Sequence, residues 1–313
     1  MKKQIFAALA ALALTFAAQQ GAGASDAAPV TVDNYGRKVT VTETPQRVLT
    51  LGPNCTELFI ALGLGDKIIG NTLDNHSRGP LPEYAAEYAR VPELNYGSAT
   101  REAALTSGAD FVFGIDWEFG GGGLDIAELE ANGMNVLVER ASSFDEAYGE
   151  IRSLGKIFKI EARAKEFIKE QERRMKAVAD KIKGRAPLRV LVYDSGSSGV
   201  FTCSGENFES LLIERAGGEN VFGDLTGKQW VTVSYEEAVA REPQAIVIHD
   251  YDSPSVEAKI AEIKANSALS QLECVKNERF VTIALESVLP GSRMAYAVER
   301  FAAGFYPELF TDK

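Results

Sequence analysis

The chain has 313 residues, 45% of them hydrophobic and 25% charged, which is apolar material enough for two cores rather than one. A formal net charge of −11 at pH 7 repels polyanions, so nucleic acid and anionic membrane surfaces are excluded as general partners. The three cysteines, Cys55, Cys203 and Cys274, are too far apart for a C-x-x-C metal or redox motif. In an oxidising compartment Cys203 and Cys274 are the expected pair, and the alternative is three small buried apolar side chains.

The chain opens on "MKKQIFAALAALALTFAAQQGAGAS", with Lys2 and Lys3, an apolar run from Ile5 to Ala18, and small residues at Ala22 and Ala24. That pattern is a secretory signal over residues 1–24. The apolar run falls short of the roughly 20 residues that cross a bilayer. No cysteine stands at the cleavage point, so release into a periplasm without a lipid anchor is expected. Removing two lysines moves the net charge to about −13.

Residues 25–143 alternate short β-rich runs, "RVLTL" (47–51), "IIGNT" (68–72), "FVFGI" (111–115) and "NVLVE" (135–139), with helical stretches. Residues 185–313 repeat the alternation with "RVLVYD" (189–194), "AIVIHD" (245–250) and "RFVTIAL" (279–285). Apolar strands between amphipathic helices mean parallel sheets covered on both faces, hence two Rossmann-like α/β lobes with a ligand cleft between them. Between the lobes, residues 144–184 carry Ile151, Leu154, Phe158, Phe167, Met175, Val178 and Ile182 near helical spacing with no proline. One continuous backbone helix is expected there, a strut that leaves little room for hinge closure.

Two ungapped internal matches relate the halves: "LFIALGLGDKIIG" (58–70) to "LLIERAGGENVFG" (211–223), and "REAALTSGADFVFGIDW" (101–117) to "YEEAVAREPQAIVIHDY" (235–251). In the second match Thr100 and Ser234 stand two places before Glu102 and Glu236. Both read as N-caps, which puts each glutamate in a first helical turn, where the helix dipole favours a carboxylate. The dipole alone accounts for an acid at that place. Two equivalent lobes also present one carboxylate each, too far apart for acid/base chemistry but suited to a two-fold partner bearing arginines.

Ligands of parallel α/β sheets bind beyond the carboxyl ends of the strands. The loops there contain Trp117, Phe119, Phe201 and Tyr251, with Trp230 nearby, and both histidines, His76 and His249. This aromatic set favours a large, flat or aromatic-bearing ligand. Arg78, Lys228 and Arg293 are the cationic candidates for an anionic ferric complex. No H-x-x-H or H-E-x-x-H array suggests a zinc site, and Gly120–Gly123 lack the pattern of a phosphate cradle. Hydrogen-bonded loop histidines and ordinary core aromatics are the plainer readings of the same residues.

Six segments in order, "RVLTLGPNCTELFIALGLGDKIIG", "EAALTSGADFVFG", "LGKIF", "IERAGGENVF", "VSYEEAVAREPQAIVI" and "PGSRMAYAVERFAAGFYPELF", resemble the periplasmic binding proteins for iron–siderophores, haem and cobalamin that feed ABC importers. The resemblance covers nearly the whole chain after residue 24. It departs from the family pattern at Gly108 and Ala109, where a proline is usual. It implies a monomeric carrier with no resident cofactor, whose cargo contains chelated iron. It places permease docking on Glu102 and Glu236 and a cleft-facing arginine at Arg293. A ferric siderophore is the expected cargo from the arginines; haem or a corrinoid, or an exported chelatase-like enzyme, are the alternatives.

Overall fold

The structure, a computed structural model, describes residues 28–196 and 198–310. The signal segment 1–24 lies outside the described residues. A hairpin not expected from the strand pattern comes first: β1 (Val30–Asn34) and β2 (Arg37–Val41) pair antiparallel around Tyr35 and Gly36. Both turn residues have positive φ, 52° and 71°, as a two-residue turn requires if its twist is to match the strands. The Asn34 side chain fastens the hairpin to the lobe, donating to the Val138 carbonyl at 2.8 Å and accepting from the Val138 amide at 2.7 Å.

The N-terminal lobe is a five-stranded parallel sheet. Its strands β3 (Val48–Leu51), β4 (Ile68–Thr72), β5 (Glu93–Asn95), β6 (Phe111–Ile115) and β7 (Asn135–Glu139) run in the order β5-β4-β3-β6-β7. Helices α1 (Pro53–Ala61), α2 (Ala85–Tyr88), α3 (Arg101–Thr106) and α4 (Ile126–Ala131) connect them. Every residue of β3 and β6 is buried, because both sheet faces are covered. Four of the expected strands are present at their expected places.

The connecting segment is not one helix. It forms α5 (Phe144–Ile157) and α6 (Glu161–Lys181), separated at Phe158–Ile160, where Lys159 takes a left-handed φ of 57°. No glycine or proline announces the break. The helix ends in a left-handed cap, the Ile160 amide donating to the Gly155 carbonyl at 2.8 Å and the Lys159 amide to the Lys156 carbonyl at 3.3 Å, while the Phe158 ring packs edge-on to Phe59 and Phe111, with centroids 5.4 and 5.3 Å away. The two helices then touch at Gly155, where a Cβ would lie 2.9 Å from the Ala164 Cβ. The 21 residues of α6 still span about 32 Å.

The second lobe holds β8 (Leu188–Tyr193), β9 (Ser195–Gly196), β10 (Val200–Cys203), α7 (Phe208–Arg215), β11 (Gly218–Asn220), β12 (Trp230–Val233), α8 (Tyr235–Ala240), β13 (Ala245–Asp250), α9 (Val256–Ala265), α10 (Glu273–Lys276), β14 (Phe280–Ala284) and α11 (Met294–Phe305). Its parallel sheet runs β11-β8-β13-β14, and β12-β10-β9 form a separate antiparallel sheet. The internal repeat is thus topological: β4-β3-β6-β7 corresponds to β11-β8-β13-β14, α1 to α7 and α3 to α8. Alternation along the strands splits the second lobe into two layers. Val190, Val192 and Val247 join a cluster that also contains Phe59, Leu154, Met175 and Phe301, so one apolar core runs through both lobes and the strut. Leu191, Tyr193, Ile246 and Ile248 face the other way. Cys203 belongs to the first layer and Cys274 to the second, on opposite sides of the sheet. The expected Cys203–Cys274 pair is therefore absent, and all three cysteines are free and buried.

Two buried ionic networks complete the frame. In the first, Arg293 binds Glu57 of α1 through Nε to Oε1 at 2.8 Å and Nη2 to Oε2 at 2.6 Å, and reaches Glu286 Oε1 at 3.2 Å and the Gly79 carbonyl at 2.7 Å. Glu286 Oε1 also accepts from Ser77 Oγ and the Arg78 amide, both at 2.9 Å. The arginine is 4% exposed and ties the lobes at the base of the cleft. In the second, buried His249 places Nδ1 2.9 Å from Asp194 Oδ1 and Nε2 3.0 Å from Glu209 Oε1. Burial by itself lowers the His249 pKa, but the flanking Glu209 and Asp194 outweigh it and push it up to about 9.

Breaking the first network by Arg293→Ala leaves two buried carboxylates uncompensated and is expected to cost about 3–5 kcal/mol, read as a shifted urea midpoint. For His249 the folded pKa lies above the free value near 6.5. Its stabilisation is therefore complete below about pH 6.5 and disappears as pH rises through about 9. Urea titrations of wild type and His249→Gln should differ by on the order of 3 kcal/mol more at pH 6 than at pH 10. A difference that stays constant with pH would show that the imidazole is not charged in the fold.

Candidate functional site

Loops at the carboxyl ends of β6, β7, β8 and β13 face one another across the inter-lobe cleft. Trp117 stands in the single helical turn Asp116–Glu118 that follows β6, and Trp230 begins β12. Both line one narrow cavity of about 30 Å³ between the lobes, together with Asp116, Arg140, Asn207, Gln229 and Pro290. Trp117 is 39% exposed, large for an aromatic with core available to it. Trp230 stacks on Phe201, centroids 5.6 Å apart at 23°, and meets the edge of His249 at 5.7 Å. Phe201 is exposed beside it.

His76 bridges the lobes. Its ring lies 6.1 Å from Trp117 and, nearly parallel, 6.1 Å from Tyr251 of the second lobe. Burial lowers the His76 pKa, so the ring is neutral at pH 7, with Nδ1 2.9 Å from Asn75 Oδ1. The Tyr251 hydroxyl donates to Asp194 Oδ2 at 3.0 Å, and the buried Lys259 ammonium sits 3.6 Å from its ring centroid while donating to the His249 carbonyl. Beside His76, Arg78 pairs with Asp250 at 3.3 Å and the Tyr96 hydroxyl donates to Asp252 at 2.9 Å. This edge of the cleft is closed by contacts across it.

Trp117, Trp230, Phe201, His76, Tyr251 and Arg78 therefore converge, and Lys228 is exposed nearby. Three other candidates do not reach the cleft surface. Phe119 is 8% exposed and packs in the outer core of the first lobe with Leu124 and Leu129. His249 has both ring nitrogens occupied by carboxylates, which leaves none for a metal. Arg293 spends its guanidinium on Glu57 and Glu286 and is not a cleft-facing cation. Conversely, Tyr35, Arg140, Asn207 and Gln229 face the cleft region without having been singled out. Arg140 follows the carboxyl end of β7, so the strand-end rule applied to all strands would have found it. Tyr35 lies at the turn of a hairpin whose signal, Val30 and Val32 before it and Val39 and Val41 after it alternating with polar residues, is present in the sequence and went unread.

The walls are acidic. Asp116 pairs with Arg140 at 3.1 Å, and burial raises its pKa. Burial also holds the Glu139 carboxyl well above its ordinary range, and pushes Glu150 up to about 8. Among the described residues no cluster of three or more His, Cys, Asp or Glu has a metal-holding arrangement, and no helix is long and apolar enough to cross a membrane.

Glu102 and Glu236 occupy equivalent places. Each lies exposed in the first turn of a six-residue helix, α3 or α8, whose cap is the expected one. Thr100 Oγ1 accepts from the Ala103 amide at 3.2 Å, and Ser234 Oγ from the Glu237 amide at 3.0 Å. Crossover helices run antiparallel to their sheet, so both N-termini lie at the strand-carboxyl end of their own lobe.

Residues 48–285 match the periplasmic binding protein family. YvrC, an uncharacterized ABC transporter substrate-binding lipoprotein of Bacillus subtilis (strain 168), is 27% identical over 290 residues, 91% of this chain and 88% of that protein. A vitamin B12-binding protein of Yersinia pestis (strain Pestoides F) is 26% identical over 203 residues, 65% of this chain and 69% of that protein. Among solved structures, a periplasmic binding protein from Veillonella parvula superposes with a TM-score of 0.79 at 25% identity, over 89% of this chain and 98% of that one. With two topologically matched lobes facing across a cleft and most of its length within that match, the chain belongs to the periplasmic binding protein family and has an ABC-type substrate-binding role.

Proposed function

We propose that the chain captures a metal chelate between its lobes and delivers it to a two-fold permease. The observation that carries this reading is the convergence of Trp117 and Trp230, one from each lobe, on a single cavity at the strand ends. Two indoles suit a broad, partly apolar surface such as a macrocycle or a wrapped chelate. The reading is of a carrier: one-to-one binding without product is expected, and turnover of a porphyrin substrate would instead support a chelatase.

Within this class a corrinoid is favoured. Among the described residues the cleft arginines are already engaged, Arg293 sealed and Arg78 and Arg140 facing carboxylates, and the buried Lys259 lies behind the Tyr251 ring, bonded to the His249 carbonyl. The vitamin B12-binding relative points the same way. A ferric siderophore is the second reading, favoured by the exposed Lys228 and the half-exposed Arg78 at the cleft rim.

Quenching of tryptophan fluorescence by cyanocobalamin, haemin and ferric siderophores identifies the cargo. Trp117→Ala and Trp230→Ala should each weaken its binding about tenfold or more, the loss of one buried aromatic contact. Wild-type affinity in both variants would remove the cavity from the binding site. Glu102→Ala and Glu236→Ala, by contrast, should leave affinity unchanged and abolish uptake in cells expressing the cognate permease. Uptake that persists in the double variant would rule out docking through these carboxylates.

A further inference from the structure

We propose that the cargo extends past the tryptophan pair, and that its polar arm lies in a groove between the Tyr35 hairpin tip, α5 and the Glu206–Gln229 edge of the second lobe, a site for uncharged or cationic hydrogen-bonding groups. The proposal rests on the metal-chelate reading and says where the rest of such a ligand goes.

Size comes first. The cavity between Trp117 and Trp230 holds about 30 Å³, room for one water molecule, whereas sites for drug-sized ligands measure about 300–1,000 Å³. The groove on the α5 side holds about 1020 Å³. Arg140 and Gln229 line both spaces, so the larger adjoins the smaller across these two side chains. The opposite edge of the cleft is shut by the Tyr96–Asp252 and Arg78–Asp250 contacts and by His76 against Tyr251. The bulk of a ligand gripped by the indoles therefore has space on one side only.

Chemistry decides the class of ligand group. Asp33, Glu146 and Glu206 line the groove with Glu150, whose carboxyl burial pushes up to about 8 and so leaves mostly protonated at pH 7, and Arg140, the only cation lining it among the described residues, is already paired with Asp116. A polyanionic arm would meet repulsion and no counter-charge. Several of these acids are held in place by local bonds: Glu146 Oε2 accepts from the Ser142 amide at 2.7 Å and Glu206 Oε1 from the Gly227 amide at 2.9 Å. Among the described residues the Gln229 side-chain amide has no protein partner; the Gln229 backbone carbonyl accepts from the Ser204 amide at 2.9 Å and from the Asn207 side-chain amide at 3.4 Å. Tyr35, 42% exposed at the turn with the Arg140 guanidinium 5.8 Å from its ring, supplies a flat outer wall. An amide-, hydroxyl- or ammonium-bearing arm fits this lining.

The test uses the whole exported chain and three probes of different charge: cyanocobalamin, neutral and rich in amides; ferrioxamine B, a singly cationic hydroxamate complex with an ammonium arm; and ferric enterobactin, a trianion. Equilibrium dialysis should show wild type binding a neutral or cationic probe and rejecting the trianion. Tyr35→Ala and Gln229→Ala should each weaken that binding at least fivefold, and Glu206→Lys should reduce the preference for the cationic probe over the trianion at least tenfold, with unchanged melting temperatures confirming the fold. Wild-type affinity in Tyr35→Ala and Gln229→Ala, while Trp117→Ala and Trp230→Ala lose binding, overturns the groove and spares the carrier. Preference of wild type for the trianion also overturns the groove. Failure of wild type to bind any metal chelate overturns the carrier reading and the groove with it.

Discussion

A single guanidinium fixes the geometry on which the cleft depends. Arg293, just ahead of α11, is held by Glu57 from α1 in the first lobe and by Glu286 in its own, with Ser292 adding a 2.7 Å bond to the same Glu57. Desolvating three charges is expensive, and their mutual attraction repays it only where bonds are short and the remaining lone pairs are met. Here the backbone amides of Arg78 and Leu81 meet Glu286 Oε1 and Glu57 Oε2, while the buried Glu286 Oε2 has no partner among the described residues. The network consequently specifies one relative placement of the lobes more than it adds net stability. The strut is broken at Lys159, so the rigidity expected of a continuous helix falls instead to this buried contact and to the packing of α6 on α11.

The acidic character of the molecule reappears inside the cleft in altered form. On the surface, acids are solvated and charged; along the cleft wall burial raises Asp116, Glu139 and Glu150 above their ordinary range. Glu150, pushed up to about 8, is therefore mostly protonated at pH 7, while Asp116 keeps its ion pair with Arg140; such a wall beside two indoles suits an amide-rich macrocycle better than a highly charged anion. The second lobe uses its charges differently. Glu209, His249 and Asp194 compensate one another beneath Trp230, which fixes the plane of that indole from below.

Much of the fold was legible because its signals are local. Short apolar runs such as "FVFGI" become fully buried parallel strands, and Thr100 and Ser234 cap helices as their spacing to Glu102 and Glu236 suggests. What escaped depends on distant partners. Arg293 reads as a ligand contact until Glu57, 236 residues earlier, is seen beside it, and His249 until Glu209 closes over its second nitrogen. The break after α5 is a left-handed cap on Lys159, a residue type that does not announce one, with Phe158 packed between Phe59 and Phe111. Residues that converge on the cleft, among them Trp117 and His76, follow from strand polarity, which dictates which loops share an end of a parallel sheet, whereas Trp230 begins a strand of the separate antiparallel sheet and lies outside that rule. The groove beside Tyr35 was missed, since it is built by a hairpin lying outside the repeat.

The apolar cluster that runs from Phe59 through Leu154 and Met175 to Phe301 belongs to neither half alone. A chain cut between α6 and β8 would leave each fragment with a large uncovered apolar face, so the repeat, although it records two equivalent units, no longer encodes two independent folding domains. Melting should accordingly be a single cooperative transition, and any ancestral half-sized protein would have had to cover that face by pairing with a second copy of itself.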